Sequence, residues 1–296
     1  MDSENKDIKM ASMSKKRRAG NIAAYVVLIL MSIIWLFPFF GIVMQSFRSY
    51  NEMGGGMVDY IIPKQFSLDS YKFLFDTKQT NFVLWYKNSI IIAFITALLQ
   101  TIVIVCVSYA LSRMRFKGRT LIMRFWLVLG MFPGFLTMIC MYFLLKNFGL
   151  TQDGAIPGLI LVYVASSGMG YYVCKGYFDT IPKEIDEAAR IDGASNAKIM
   201  VSMIIPLSKP ILIYTALTAF MAPWADYIFA SYVAFGNDKS FNVAVAMFRW
   251  VKTNDYQGYF TRFCAGGVLI AIPVTILFMA LQRYYVEGVT GGAVKG

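Results

Sequence analysis

The 296-residue sequence contains no histidine. Imidazole metal ligation and histidine-based acid–base chemistry are therefore excluded. Cysteine is sparse. Cys106, Cys140, Cys174 and Cys264 each sit inside an apolar run, far from one another and without metal-ligand spacing. They read as buried thiols, and no metal site is expected. Charge is scarce too, at 15% of residues, with 28 Lys and Arg against 17 Asp and Glu. A net charge of +11 can signal nucleic acid. Here the apolar runs make it a membrane-orientation bias, and no nucleic-acid partner is expected. The phosphate-cradling pattern G-x-x-x-x-G-K-[ST] is missing, so any ATP hydrolysis belongs to another polypeptide. Fixed-period repeats and low-complexity tracts are also missing.

Apolar residues are abundant, at 57% with a mean hydropathy of +0.56, which places the chain in a membrane class. A crossing helix needs about 20 apolar residues. Six runs qualify: Ile22–Met44, Asn88–Ser112, Phe125–Leu145, Gly154–Cys174, Pro210–Ala225 and Phe263–Gln282. The expected fold is an all-α integral membrane protein of six transmembrane helices. The first run follows Lys15–Arg18, as in a signal peptide. It is too long and has no small-residue cleavage site, so it reads as a retained span.

The basic excess sets the orientation. The N-terminus and Arg113–Arg119 carry it, and Lys175–Lys209 falls on the same side. In Ser46–Lys87, Glu52, Asp59, Asp69 and Asp76 nearly balance Arg48, Lys64, Lys72, Lys78 and Lys87. Both termini are therefore expected in the cytoplasm. The chain divides into a basic N-terminus (1–21), a six-helix membrane region (22–284) with a cytoplasmic segment at about 180–206, and a cytoplasmic tail (285–296).

The segment Glu184–Pro206, "EIDEAARIDGASNAKIMVSMIIP", is dense in charge and alanine. Pro182 suits a first helical turn, and Glu184, Asp186 and Glu187 favour its positive end. Ile181, Ile185, Ala188 and Ala189 share one face. Gly193 can end that helix and Ser195 can cap the next. A solvated amphipathic connector and a rigid docking helix with a slim alanine face both satisfy this pattern.

The same residues resemble the EAA loop of ABC importer permeases. Glu187, Ala188, Ala189, Asp192 and Gly193 are followed at the family's spacing by Met203, Ile204, Ile205 and Pro206. Met203 and Ile205 depart from the family's Ile and Leu but keep apolar bulk. "KNSIIIA" (Lys87–Ala93), "SYALSRMRFKGR" and the "GGAVKG" ending (Gly291–Gly296) are similar to MalG-type carbohydrate permeases. The resemblance implies a non-catalytic transport subunit in a bacterial cytoplasmic membrane, forming half of a pathway for an oligosaccharide. It also implies a second, MalF-like permease, an extracytoplasmic solute-binding protein and two ATPase subunits. ATP and magnesium would be held on the ATPases, with no cofactor in this chain. The EAA helix would dock on one ATPase, and the C-terminal tail would touch the same interface.

Asp226 is the one acid close to a span's interior, some 16 residues beyond Pro210 or ~24 Å along a helix. It reads either as an interfacial helix anchor or as an acceptor for sugar hydroxyls near the outer mouth. Trp224 and Tyr227 flank it as an aromatic belt or as stacking surfaces for sugar rings. Pro133, Pro157 and Pro273 are kinks or hinges. Val243, Val245, Met247 and Phe248 form an apolar patch in the outer segment, where Arg249 and Lys252 would help receive a binding protein. The alternative function is an ion-coupled secondary transporter, but the spans hold no midplane acid and show no half-to-half likeness.

Overall fold

The computed structural model describes residues 2–53, 60–252 and 256–290. Among them the only strand-like feature is an isolated bridge between Arg48 and Phe66. Helix α1 (Asp2–Ser46) carries the first apolar run and is continuous through position 21. The turn α2 (Tyr50–Met53) and helix α3 (Asp69–Phe75) precede α4 (Phe82–Arg113). Next come α5 (Arg119–Gly130), α6 (Gly134–Asn147), α7 (Ala155–Ala165) and α8 (Gly168–Phe178). A cluster of short helices follows: α9 (Glu184–Ile191), α10 (Asn196–Ile199), a π-helical turn (Met200–Ile204) and α11 (Ile205–Leu207). The chain closes with α12 (Lys209–Ala225), α13 (Ile228–Val233), α14 (Val243–Lys252) and α15 (Tyr256–Thr290).

Among the described residues, three stretches are single helices long and apolar enough to cross a bilayer: Gly20–Ser46, Phe82–Arg113 and Tyr259–Tyr284. The other three expected spans are not straight. Arg119–Gly130 and Gly134–Asn147 meet at 103°, Gln152–Ala165 and Gly168–Phe178 at 41°, and Asn196–Leu207 and Lys209–Ala225 at 85°. Counting each pair as one gives six. The breaks have local causes. Pro133 lacks an N–H and adopts φ −58°, ψ 121° before α6. At Ser166–Ser167 the two hydroxyls donate to the Val162 and Val164 carbonyls (2.6 and 2.8 Å), and the Val162 carbonyl also takes the Ser166 N–H (2.9 Å), so the end of α7 is held by side chain and backbone together. Pro206 and Pro210 flank the turn at Ser208.

Two cores are stacked along α4. One joins Phe82, Trp85 and Ile92 to Phe220, Trp224, Phe229 and Trp250. The other joins Ile104, Val105 and Tyr109 to Tyr171, Phe178, Ile181, Ala189, Ile199 and Ile204. α4 lies against α12, α8, α7 and α14, while α1 rests on α15. Large apolar side chains on α1, α5 and α6 face outward, including Trp35, Leu121 and Phe135. Such a surface suits lipid or another membrane subunit rather than water.

Candidate coupling helix and pathway residues

The chain's arginine-rich end carries α9. Its first turn holds Glu184, Asp186 and Glu187, which suit the helix's positive pole. Pro182 lies before the Lys183 N-cap, outside the helix, so the expectation that it sits in the first turn is corrected. Gly193 has φ +77°, and the Ala194 N–H donates to the Ala189 carbonyl (2.9 Å), closing the helix as a glycine C-terminus does. Ser195 Oγ accepts from the Lys198 N–H at 3.3 Å and opens α10. Pro206 follows the π-helical turn, where a residue without N–H leaves the normal ladder incomplete.

The facing of α9 differs from the expected alanine face. Ala189 is buried in the chain's own inner core, beside Ile181. Ala188 is exposed together with Glu187, Asp192 and Gly193, and Ile191 is 87% exposed. The free side of α9 is thus one alanine wide, edged by carboxylates and an isoleucine.

What holds that orientation is Arg113, at the end of α4. Its Nη2 donates to the Phe178 and Ile181 carbonyls, each at 2.8 Å. Its Nε lies 3.3 Å from Asp186 Oδ2, with side chains only 1% and 7% exposed. Ser112 Oγ donates to Asp179 Oδ1 (2.6 Å) and Tyr109 OH to the Asn196 carbonyl (3.1 Å). Sequence reasoning placed Arg113 only in a basic loop and Asp186 only in a helix's first turn. The readable signal was an arginine on the last turn of an apolar helix, where a cation must find acceptors or leave the bilayer. Beside α9 opens a cleft of about 870 Å³ lined by Arg113, Arg115, Arg119, Lys183, Arg190, Asp186 and Glu187.

At the opposite end, Asp226 ends α12 in an extended conformation (φ −78°, ψ 100°). Its Oδ1 accepts from the Phe229 N–H (3.1 Å), its Oδ2 from Tyr163 OH (2.5 Å). The carboxylate caps α13 and ties it to α7. It also borders a cavity of about 330 Å³ with Tyr163, Phe132, Thr137, Met141 and Ser166. Anchor and cavity wall are the same side chain. Trp224 is 5% exposed, edge-on to Tyr86 at 5.6 Å, which corrects the interfacial-belt reading. Tyr227 packs on Phe248 with ring centroids 4.0 Å apart. Val243, Val245 and Met247 are buried as well, because α14 turns them into the core; of that expected surface patch only Phe248 is exposed. The tail Gly291–Gly296 and the Lys252 side chain lie outside the described residues.

Residues 104–291 match the family model for the binding-protein-dependent transport system inner membrane component. The chain is 35% identical over 290 residues to the galactooligosaccharides transport system permease protein GanQ of Bacillus subtilis, covering 97% of this chain and all of GanQ. It is 34% identical over 284 residues to the maltodextrin transport system permease protein MdxG of the same organism, covering 96% and 99%. A crystal structure of a bacterial ABC transporter that imports the acidic polysaccharide alginate superposes with a TM-score of 0.75 at 23% identity, over 90% of this chain and 97% of that one.

Proposed function

The chain belongs to the binding-protein-dependent transport system inner membrane component family, and on that footing we propose that it is one permease subunit of an ATP-driven oligosaccharide importer. Its relatives named for galactooligosaccharides and maltodextrin support a neutral sugar oligomer as cargo. In this reading the chain is a multi-pass protein of a bacterial cytoplasmic membrane, with both termini inside. It pairs with a second permease and receives sugar from an extracytoplasmic binding protein. Two separate ATPase subunits hold ATP and magnesium.

The observation that carries the proposal is the presentation of α9. Glu187, Ala188 and Ile191 point away from the bundle while Asp186 and Ala189 are locked into it. A helix solvated on one side for its own sake gains nothing from exposing Ile191; a docking helix does. Asp226, on the cavity at the other end, is assigned to the sugar pathway, with Trp224 and Tyr227 as its neighbours along the chain.

The test uses the assembled importer in proteoliposomes. Uptake should follow internal ATP and ignore proton and sodium gradients. Glu187→Lys and Gly193→Asp should keep the subunits together or slightly loosened, yet hydrolyse ATP without moving sugar. Normal uptake in both variants would overturn the docking role of α9. Asp226→Ala should raise the KM for sugar while leaving ATPase association unchanged.

A further inference from the structure

Among the six expected crossings, α4 alone contains neither proline nor glycine, over 32 residues. At 1.5 Å per residue it is about 48 Å long. Three other crossings are bent by 41–103°, and those in α1 and α15 carry Pro38 and Pro273. α4 is also fastened at both ends by polar bonds, those of Arg113, Asn88 and Ser89 buried and those of Tyr109, Ser112 and Trp85 part-buried. At the arginine-rich end it grips α9 and its flanks through Arg113, Ser112 and Tyr109. At the other end Asn88 Nδ2 donates to the Lys239 and Phe241 carbonyls (2.8 and 2.9 Å), and Trp85 Nε1 to the Asp238 carbonyl (2.9 Å). Ser89 Oγ accepts from the Val243 N–H at 2.8 Å, the first residue of α14. Asn88 and Ser89 are 4% and 0% exposed. Buried bonds of this kind have no water to exchange with, so breaking them leaves unpaired groups in a low-dielectric interior.

We propose that α4 is a strut that mechanically joins α9 to the 238–252 segment, with Arg113 and Asp186 as positioning residues at one end and Asn88 at the other. The proposal rests on the docking role given to α9 above. A bent span absorbs displacement by rotating at its break; an unbroken helix passes it on. Drawing α9 away from Arg113 would strand a buried cation and carboxylate, a costly state, so α9 and the end of α4 move together. Movement imposed on the 238–252 segment by a binding protein then reaches the ATPase contact through a single rigid element.

The experiment measures ATP hydrolysis by the complete importer, with and without its sugar-loaded binding protein. Absence of stimulation in the unaltered importer would sink the importer reading and the strut with it, whereas stimulation in the unaltered importer that persists in the variants would sink the strut alone. Leu98 and Ile102 are exposed on α4, away from both fastenings. Leu98→Gly with Ile102→Gly softens the rod between its ends. It should leave basal hydrolysis and subunit composition unchanged but cut stimulation roughly fivefold or more. Asn88→Ala and Asp186→Asn should lose stimulation similarly, and Asp186→Glu should recover part of it. Full stimulation in the double-glycine variant would overturn the strut, whatever the end variants do. If Asp186→Asn does not assemble, the double-glycine and Asn88→Ala variants decide.

Discussion

Arg113 and Asp186 show how much one side-chain pair can set. Neither is open to solvent, and each is the other's charge partner. Removing one leaves an uncompensated buried charge, whereas replacing both by apolar residues of similar size is far milder. Arg113→Met should therefore lower stability by about 3–5 kcal/mol, and Arg113→Met with Asp186→Leu by much less, in thermal unfolding of the detergent-solubilised chain. A second polar knot lies in the segment after α1. Arg48, fully buried, donates from Nη1 to Glu52 (2.5 Å) and from Nη2 to the Tyr60 carbonyl (2.6 Å). Glu52 also accepts from the Lys64 and Gln65 N–H groups, each at 3.1 Å. Desolvation acts to raise the Glu52 carboxyl. The Tyr60 hydroxyl, those two amides and Arg48 outweigh it and hold the group below its ordinary 4.5. Because the folded value is the lower one, its stabilisation is fully present above 4.5 and is lost as pH falls through the folded value. Protection of the Lys64 and Gln65 amides, as exchange relative to the free-peptide rate at the same pH, should fall below pH 4.5 in the unaltered chain. In Glu52→Gln that protection should already be lower at pH 7 and should show no step in that range.

Helices as units respond to glycine in two different ways. Gly193 stands in open space, so a methyl group there meets nothing; the obstacle is φ +77° alone. Gly193→Ala should cost about 1–2 kcal/mol through backbone strain and fray the end of α9. Gly158 has ordinary dihedrals, but a Cβ there would lie 2.2 Å from the Leu150 carbonyl oxygen, which is backbone and cannot swing aside. Gly158→Ala should therefore push α7 away from the preceding turn, with a loss of about 1–3 kcal/mol. Unfolding midpoints of the two variants, with limited proteolysis near residue 193, separate the effects: only Gly193→Ala should expose a new cleavage site.

For the chain as one body, α1, α5 and α6 turn apolar surfaces outward, which in the proposed importer lipid and a second permease would cover. The cysteines report on this directly. Cys106 and Cys140 are exposed, Cys174 and Cys264 buried, which corrects the expectation that all four are buried. A small membrane-permeant maleimide should label the first two and spare the others in the isolated chain. In the proposed importer, assembly with the second permease should protect Cys140, because Leu145 alone of α6 is fully buried, with Met138 and Met141 half-buried beside it, and most of the rest of the helix faces outward. Unchanged labelling of Cys140 in the complex would place the permease contact elsewhere.

Local chemistry was legible in the amino-acid order. The runs of apolar residues announced membrane helices, Gly193 announced a helix end, and Ser195 announced the cap that follows. The spacing from Glu187 to Pro206 pointed to a family before any coordinates. These signals depend on neighbours within a few residues, whose geometry the backbone itself constrains. The breaks inside spans three, four and five were only half legible. Pro133 was visible as a kink, but Ser166 and Ser167 looked like ordinary residues; in the fold their hydroxyls bond back to the Val162 and Val164 carbonyls of α7. Facing was not legible at all where a helix is polar on two sides: periodicity put Ala188 and Ala189 together, and packing separated them. Nor could order along the chain reveal that Arg113 and Asp186 meet, that Trp224 is enclosed, or that α4 is bolted at both ends. Those facts depend on which distant elements share a low-dielectric interior, where a charge or an indole must find its partners or pay in stability, and only the folded arrangement settles that.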